Sequence, residues 1–431
     1  MRTLLRYFLI CLLGWILCGT TVSAQSVRTH EVQSKETLYG ISRQYGITID
    51  QLVRANPGME KPGYELKAGD VIVIPVATEP TPAIRLGVML PLHKLNNDGR
   101  RMTEYYRGVL MACDSLKKMG MSVDIHAWNL PDNGDVKTIL SDPAAAQCDM
   151  IIGPLYSRFM TPLSEFVEQH NILLVVPFSI QAPEVFTNRQ IFQVYQMPNE
   201  QVETTARRCV EWFKDYHPII IDCADSASTK GPFTSTYRRL LEVKDIKYSL
   251  TSLKSSEQNF TNAFVKDKPN LVILNTARSP ELLSTFGRLS AVKVANPDIQ
   301  ISMFGYTEWM MYTQYQLDNF YKYNVFIPAP FYTNNASPQT TDLQSKYRRN
   351  FNQEMMIALP RFALTGFDHA MFFLRGYQQY GKNFDGAAAH SSYQYVQTPL
   401  KFERIGNGGL LNRAFMFVHY KPDHTVETIN Y

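Results

Sequence analysis

The side chains best suited to covalent chemistry are scattered along this sequence. Nine histidines run from His30 to His424, and none stands at helical spacing from another histidine. No GxSxG nucleophile elbow, HExxH zinc helix or GxxxxGK[ST] phosphate loop occurs. Cys148 and Cys223 lack a local setting that would activate a thiolate. The doublet Asp368-His369 falls in a helical pattern with Phe367, Ala370, Phe372 and Phe373, which reads as a packed helix position. Binding chemistry is better represented. In residues 149–162, DMIIGPLYSRFMTP, the apolar run Met150, Ile151, Ile152 reads as a buried strand, ended by Gly153-Pro154. Thr161-Pro162 reads as an N-cap with proline at the first helical position. Strand, tight loop and helix start leave Tyr156 and Ser157 at the carboxyl end of a sheet, where open α/β sheets bind ligands.

These residues need a large scaffold, and the chain supplies one. Its 431 residues predict two or three domains, and 45% hydrophobic against 19% charged residues supports an extensive core. A formal charge of +4 without a dense Lys/Arg stripe excludes a nucleic-acid footprint. Residues 1–24 read as a cleaved signal peptide: Arg2 and Arg6 form the charged region, residues 8–17 the apolar one, and Val22-Ser23-Ala24 the cleavage site. Cys18 offers a lipid anchor as the alternative. Ile16 and Leu17 stand where a lipobox wants small residues, which favours cleavage. Such a signal places the expected mature protein in the periplasm or associated with the cell envelope, and no later segment is apolar enough to span a bilayer. Cys113, Cys148, Cys209 and Cys223 remain after cleavage. Export permits disulfides among them, and burial as free thiols fits equally well, since three of the four sit in or beside expected core elements. No metal set or cofactor motif accompanies them.

Residues 27–76 form a compact β-α-α-β unit in the reading. A short strand at 28–33 precedes a helix with Leu38, Ile41 and Tyr45 on one face, closed by Gly46. Thr48-x-x-Gln51 is a capping box that opens a second helix with Leu52 and Val53 inward. Asn56-Pro57-Gly58 ends it, and a strand follows at 71–75. The residues Glu36-Thr37-Leu38, Ile41-Ser42, Leu52, Asn56-Pro57, Leu66, Gly69, Ile72, Ile74 and Pro75 closely resemble the pattern of a LysM domain. That resemblance implies binding of peptidoglycan or another N-acetylglucosamine-containing glycan. The implied groove lies between the turn before the first helix and the loop after the second, lined by Lys35, Glu36, Thr37, Leu38, Asn56, Pro57 and Gly58. Residues 77–83, rich in proline and threonine, read as a short, semi-stiff linker.

From residue 84 onwards, apolar strands alternate with amphipathic helices twice over, so the expected class is α/β with parallel sheets covered on both faces. Residues 84–92, 106–112, 151–157, 175–179 and 366–370 together resemble the type 1 periplasmic binding-protein fold, in its leucine- and amino-acid-binding branch. The resemblance implies a two-lobed, doubly wound domain over 84–431. Lobe 1 would comprise about 84–195 and 330–398, and lobe 2 about 196–328 with the C-terminal strands 399–431. Crossings between lobes are expected at 194–198, 327–331 and 398–402. Position by position, the implied ligand residues are Tyr156, Ser157, Phe178 and Ser179 on lobe 1, and Tyr306 and Glu308 on lobe 2. Glu308 would hold an ammonium, and Tyr156 or Phe178 would pack a side chain. Tyr156 and Phe178 are bulkier than the small hydroxyl residues usual in amino-acid binders of this kind, and they would equally serve to fill the cleft.

The expectation is a non-enzymatic cell-envelope protein held on peptidoglycan, with a domain that senses a small ligand or docks an envelope partner. It is similar in plan to the outer-membrane activators of penicillin-binding proteins. A solute-binding protein of an amino-acid or peptide uptake system is the alternative. A wall hydrolase is a third class, without a hydrolase motif to support it.

Overall fold

The computed structural model describes residues 28–34, 36–45, 47, 49–60, 64, 66–75, 83–179, 181–387, 391 and 393–430. The expected signal peptide, Cys18, Lys35, Gly46, Thr48 and all of the expected linker but Ala83 lie outside the described residues. The chain divides into two compact units, residues 1–82 and 83–431.

In the first unit, β1 (Arg28–Glu31) pairs antiparallel with β2 (Val71–Ile74), with Arg28 opposite Ile74 and Glu31 opposite Val71. Helices α1 (Leu38–Gln44) and α2 (Ile49–Ala55) lie between them in the chain. Val32, Ile41, Ile47, Leu52, Ile72 and Ile74 form one small core, which shares no residue with the cores of the second unit. The alternation of Ile72 and Ile74 inward against Val71 outward is the period of a half-buried strand.

The second unit contains two sheets of like design. The first holds β3 (Ile84–Leu90), β4 (Val123–Asn129), β5 (Met150–Ile152), β6 (Leu173–Val176) and β7 (Ile191–Gln193), in the parallel order β4-β3-β5-β6-β7. The second holds β8 (His217–Asp222), β9 (Ser249–Ser252), β10 (Asn270–Leu274), β11 (Ile301–Phe304) and β12 (Val325–Ala329), in the matching order β9-β8-β10-β11-β12. Strands β5, β6, β10, β11 and β12 are buried along their full length, which is why they read as near-continuous apolar runs, broken only by the buried polar residues Asn270 and Ser302. Connecting helices are α3 (Asn97–Lys118), α4 (Val136–Leu140), α5 (Pro143–Ala146), α6 (Met160–His170), α7 (Pro198–Trp212), α8 (Gly231–Val243), α9 (Glu257–Thr261), α10 (Ser279–Ala295) and α11 (Thr313–Lys322). Helices α12 (Pro338–Phe351) and α13 (Phe362–Tyr380) return to the first lobe, where α13 packs along α3. This is the expected two-lobed, doubly wound α/β architecture.

Two local expectations are corrected. Helix α6 begins at Met160 after a 3-10 turn at Ser157–Phe159, so Thr161 is not its N-cap. The Thr161 hydroxyl instead donates to Glu184 Oε1 at 2.7 Å. The C-terminal strands do not all belong to lobe 2. β13 (Phe402–Arg404) and β14 (Leu410–Asn412) form a hairpin in the first sheet, where β14 runs parallel to β7. Only β15 (Met416–Tyr420) and β16 (Val426–Asn430) enter the second sheet, where β15 pairs antiparallel with β12. The third crossing therefore falls at residues 413–415 rather than 398–402. Burial explains the assignment: Leu400, Phe402 and Leu410 complete the first lobe's core around Phe192, with Phe192 and Phe402 ring centroids 5.4 Å apart. Gly408 and Gly409 seat the hairpin turn directly on the backbone of Val185, Phe186, Asn188 and Ile191, where a Cβ would collide.

Candidate functional site

The first-unit residues form a turn held by its own hydrogen bonds. Glu36 accepts from the Gln33 amide and lies 2.7 Å from His30 Nε2, while His30 Nδ1 is 2.9 Å from the Tyr45 hydroxyl. The Gln33 amide, with His30 second, holds the Glu36 carboxyl below its usual range. Thr37 caps α1, accepting from the Gly40 amide at 3.0 Å, and Leu38 packs on the unit's core. Asn56 is committed to the fold: its side chain donates to the carbonyls of Leu52 and Val73 and accepts from the Val73 amide, each at 2.8 Å. That leaves Glu36, Thr37, Pro57 and Gly58 as the surface residues of the expected groove.

In the second unit the two expected groups of ligand residues line different openings. Tyr156, Ser157, Phe178 and Ser179 share a cavity of about 370 Å³ with Asp132, Arg158 and Gln181. Tyr306 and Glu308 line another, of about 480 Å³, between lobe 2 and the crossing segments. The structure does not bring the two groups into one pocket. Within the first, the Tyr156 hydroxyl donates to Asp98 Oδ2 at 3.2 Å, and burial, followed by Asp98, pushes its pKa up to about 12. Ser179 hydroxyl closes a local turn with Gln181. Phe178 packs into an aromatic group, with centroids 5.2 Å from Tyr105, 5.7 Å from Phe362 and 5.8 Å from Tyr195. It fills space in lobe 1 beneath the loop.

The larger cavity has aromatic and proline walls, including Tyr195, Phe233, Phe304, Tyr306, Pro328, Pro330, Phe331 and Pro360. Tyr306 is buried, its hydroxyl donating to the Leu274 carbonyl, and desolvation drives its pKa well up. Glu308 does not await an ammonium from outside. Lys230 Nζ, from the residue ahead of α8, sits 2.6 Å from Glu308 Oε1 and 4.9 Å from the centre of the Tyr306 ring. Sequence reasoning missed Lys230. The rule that pointed to Tyr156 also reaches it, because Lys230-Gly231-Pro232 opens a helix after the carboxyl end of β8.

The crossings beside this cavity are tied by two glutamines. Gln397 accepts from the Arg361 amide and the Thr333 hydroxyl and donates to Thr365 Oγ1, while its carbonyl takes the Tyr332 amide. Gln196 Nε2 donates to the Asn412 carbonyl at 3.0 Å, linking the first crossing to the third. Asp368 on α13 is fully buried and accepts from the Tyr393 hydroxyl and the amides of Val396, Gln397 and Thr398. Its neighbour His369 is also fully buried, with Nδ1 2.9 Å from the Tyr105 hydroxyl. Cys113, Cys148, Cys209 and Cys223 are free thiols, each pushed up by burial, and none is an activated nucleophile. Among the described residues no group of three or more His, Cys, Asp or Glu could hold a metal ion, and no helix is long and apolar enough to cross a membrane.

Residues 30–75 match the family model of the LysM domain, and residues 144–424 match that of the periplasmic binding protein. A comparison with curated proteins found no match. Among solved structures, a putative branched-chain amino acid ABC transporter from Rhodospirillum rubrum is 13% identical with a TM-score of 0.55, over 80% of this chain and 100% of that one. Full-length LpoA from Haemophilus influenzae is 14% identical with a TM-score of 0.51, over 82% of this chain and 60% of that one. Its C-domain, described as a regulator of PBP1A, is 14% identical with a TM-score of 0.50, over 80% and 99%. At these identities the likeness is one of fold. With the family model spanning well over half its length, the chain belongs to the periplasmic binding protein family and carries a LysM domain ahead of the binding-protein fold.

Proposed function

We propose that this protein is a non-catalytic component of the bacterial envelope, exported to the periplasm and retained on peptidoglycan by its LysM domain. Its binding-protein domain takes a small ligand in the cleft beside the crossings and presents the result to an envelope partner. The observation that carries this reading is the presence of both domains on one chain. A wall-binding module defeats the free diffusion that a nutrient shuttle needs. The fold shared with the LpoA C-domain, a regulator of PBP1A, supports a role in regulating wall synthesis. Glu36, Thr37, Pro57 and Gly58 are the residues we assign to the glycan groove, with Lys35 from the same turn.

The test is retention on purified sacculi. The full chain is expected to sediment with them, and a form lacking residues 27–76 to stay in the supernatant; the separate core of the module makes that deletion tolerable to the rest. Equal sedimentation of both forms would refute the anchor. A second reading, a solute-binding protein of an uptake system, is supported by the fold shared with the Rhodospirillum rubrum protein. A large thermal shift with free amino acids would favour it.

A further inference from the structure

Of the residues lining the larger cavity, Lys230 and Glu308 alone carry formal charge, and they are spent on each other at 2.6 Å. Lys230 is further held over the Tyr306 ring, and Tyr306 is itself fixed by its bond to the Leu274 carbonyl. The pair therefore meets a ligand as a fixed dipole with no net charge. A free ammonium arriving at Glu308 would stand beside the Lys230 charge, and a free carboxylate arriving at Lys230 beside that of Glu308. Either alone would meet like-charge repulsion, and a zwitterion carrying both would have to give up the hydration of two charges, in a cavity whose other walls are mainly aromatic, proline and threonine side chains.

A neutral amide has the complementary pattern. Its carbonyl can accept one of the three Lys230 N–H bonds, of which Glu308 uses one. Its N–H can donate to the Glu308 carboxylate, which has about four acceptor sites. The apolar side chain carried by such an amide would pack against Phe233, Phe304 and Phe331.

We infer that the Lys230–Glu308 pair makes this cavity selective for an uncharged peptide amide bearing an apolar side chain, as in a blocked amino acid or an inner residue of a peptide, over a free amino acid. The inference rests on the proposal above that the cleft takes a small ligand. Lys230 and Glu308 are its specificity-determining residues.

Calorimetric titration of the full chain with N-acetyl-L-phenylalaninamide, L-phenylalaninamide, N-acetyl-L-phenylalanine and L-phenylalanine tests it. The doubly blocked, uncharged compound is expected to bind at least tenfold tighter than the other three. Lys230→Met leaves Glu308 without its partner and should move the preference at least tenfold towards L-phenylalaninamide, which carries only an ammonium. Glu308→Gln should move it towards N-acetyl-L-phenylalanine, which carries only a carboxylate. If either variant fails to fold, the other variant and the wild-type ranking still decide. Tightest binding of free L-phenylalanine by the wild type, or a ranking that neither substitution alters, would overturn the inference while leaving the cleft a ligand site. Absence of binding by all four compounds would overturn the inference and the cleft reading together.

Discussion

Asp368 and His369 stand side by side on α13, both fully buried, and burial moves them in opposite directions. Desolvation raises the Asp368 pKa from 3.8 to about 6 against the pull of its four donors, and lowers that of His369 from 6.5 to about 3. Between pH 4 and 6 the unfolded chain holds a charged pair at these positions, whereas the native chain holds a neutral acid and a neutral imidazole. Proton counts match, so the doublet adds almost no pH dependence to stability in that window. Separating the two exposes each slope. A raised acid stabilises the fold below its unfolded pKa and loses that contribution as pH rises through about 6. In His369→Gln, where Asp368 acts alone, stability should fall by about 2 kcal/mol from pH 4 to 6. A lowered histidine contributes above its unfolded pKa and loses that contribution as pH falls. In Asp368→Asn, where His369 acts alone, stability should rise by about 3 kcal/mol from pH 4 to 6.5. Urea unfolding across this range measures both, and parallel profiles for wild type and variants would contradict the assignment.

At the scale of elements, the contact of α3 with α13 depends on two glycines. A Cβ on Gly108 would overlap the Ala363 carbonyl, and one on Gly366 the Tyr105 carbonyl, so the two helix backbones approach as closely as glycine permits. Gly108→Ala or Gly366→Ala is expected to cost roughly 1–3 kcal/mol by forcing the helices apart. Gly287 on α10 has open space around it, and Gly287→Ala should stabilise by up to about 1 kcal/mol through helix propensity. Chemical denaturation distinguishes the two signs. Both Gly108 and Gly366 lie in stretches whose resemblance to the binding-protein fold was legible in the sequence, and what their spacing could not reveal is that they face each other. The same limit applies to the C-terminal hairpin: an apolar run announces a strand but not which sheet will pair with it. It applies also to Lys230 and Glu308, 78 residues apart, whose neutralisation of one another exists only after folding. The alternating architecture and the LysM pattern were legible because each rests on local periodicity and turn residues.

For the whole molecule, the chain passes between the lobes three times, and its last strands close both sheets. β14 completes the first sheet beside β7, and β15 completes the second beside β12. Phe415, Met416, Phe417, Val418 and Tyr420 are buried in the second core. Removing residues 414–431 would take these five side chains out of the core and bare β12 and the residues packed on them, a loss on the order of 10 kcal/mol, comparable to the whole stability of a domain. Such a truncation is expected to lose cooperative thermal unfolding in lobe 2, as calorimetry would record.

The split of the final strands also sets a timetable for the protein's birth. During synthesis, β7 and β12 wait for partners encoded more than 200 and about 90 residues later, so neither lobe can close its sheet until residues 410–420 have emerged. The two lobes must then mature together and late, and each passes much of synthesis with one strand edge unpaired.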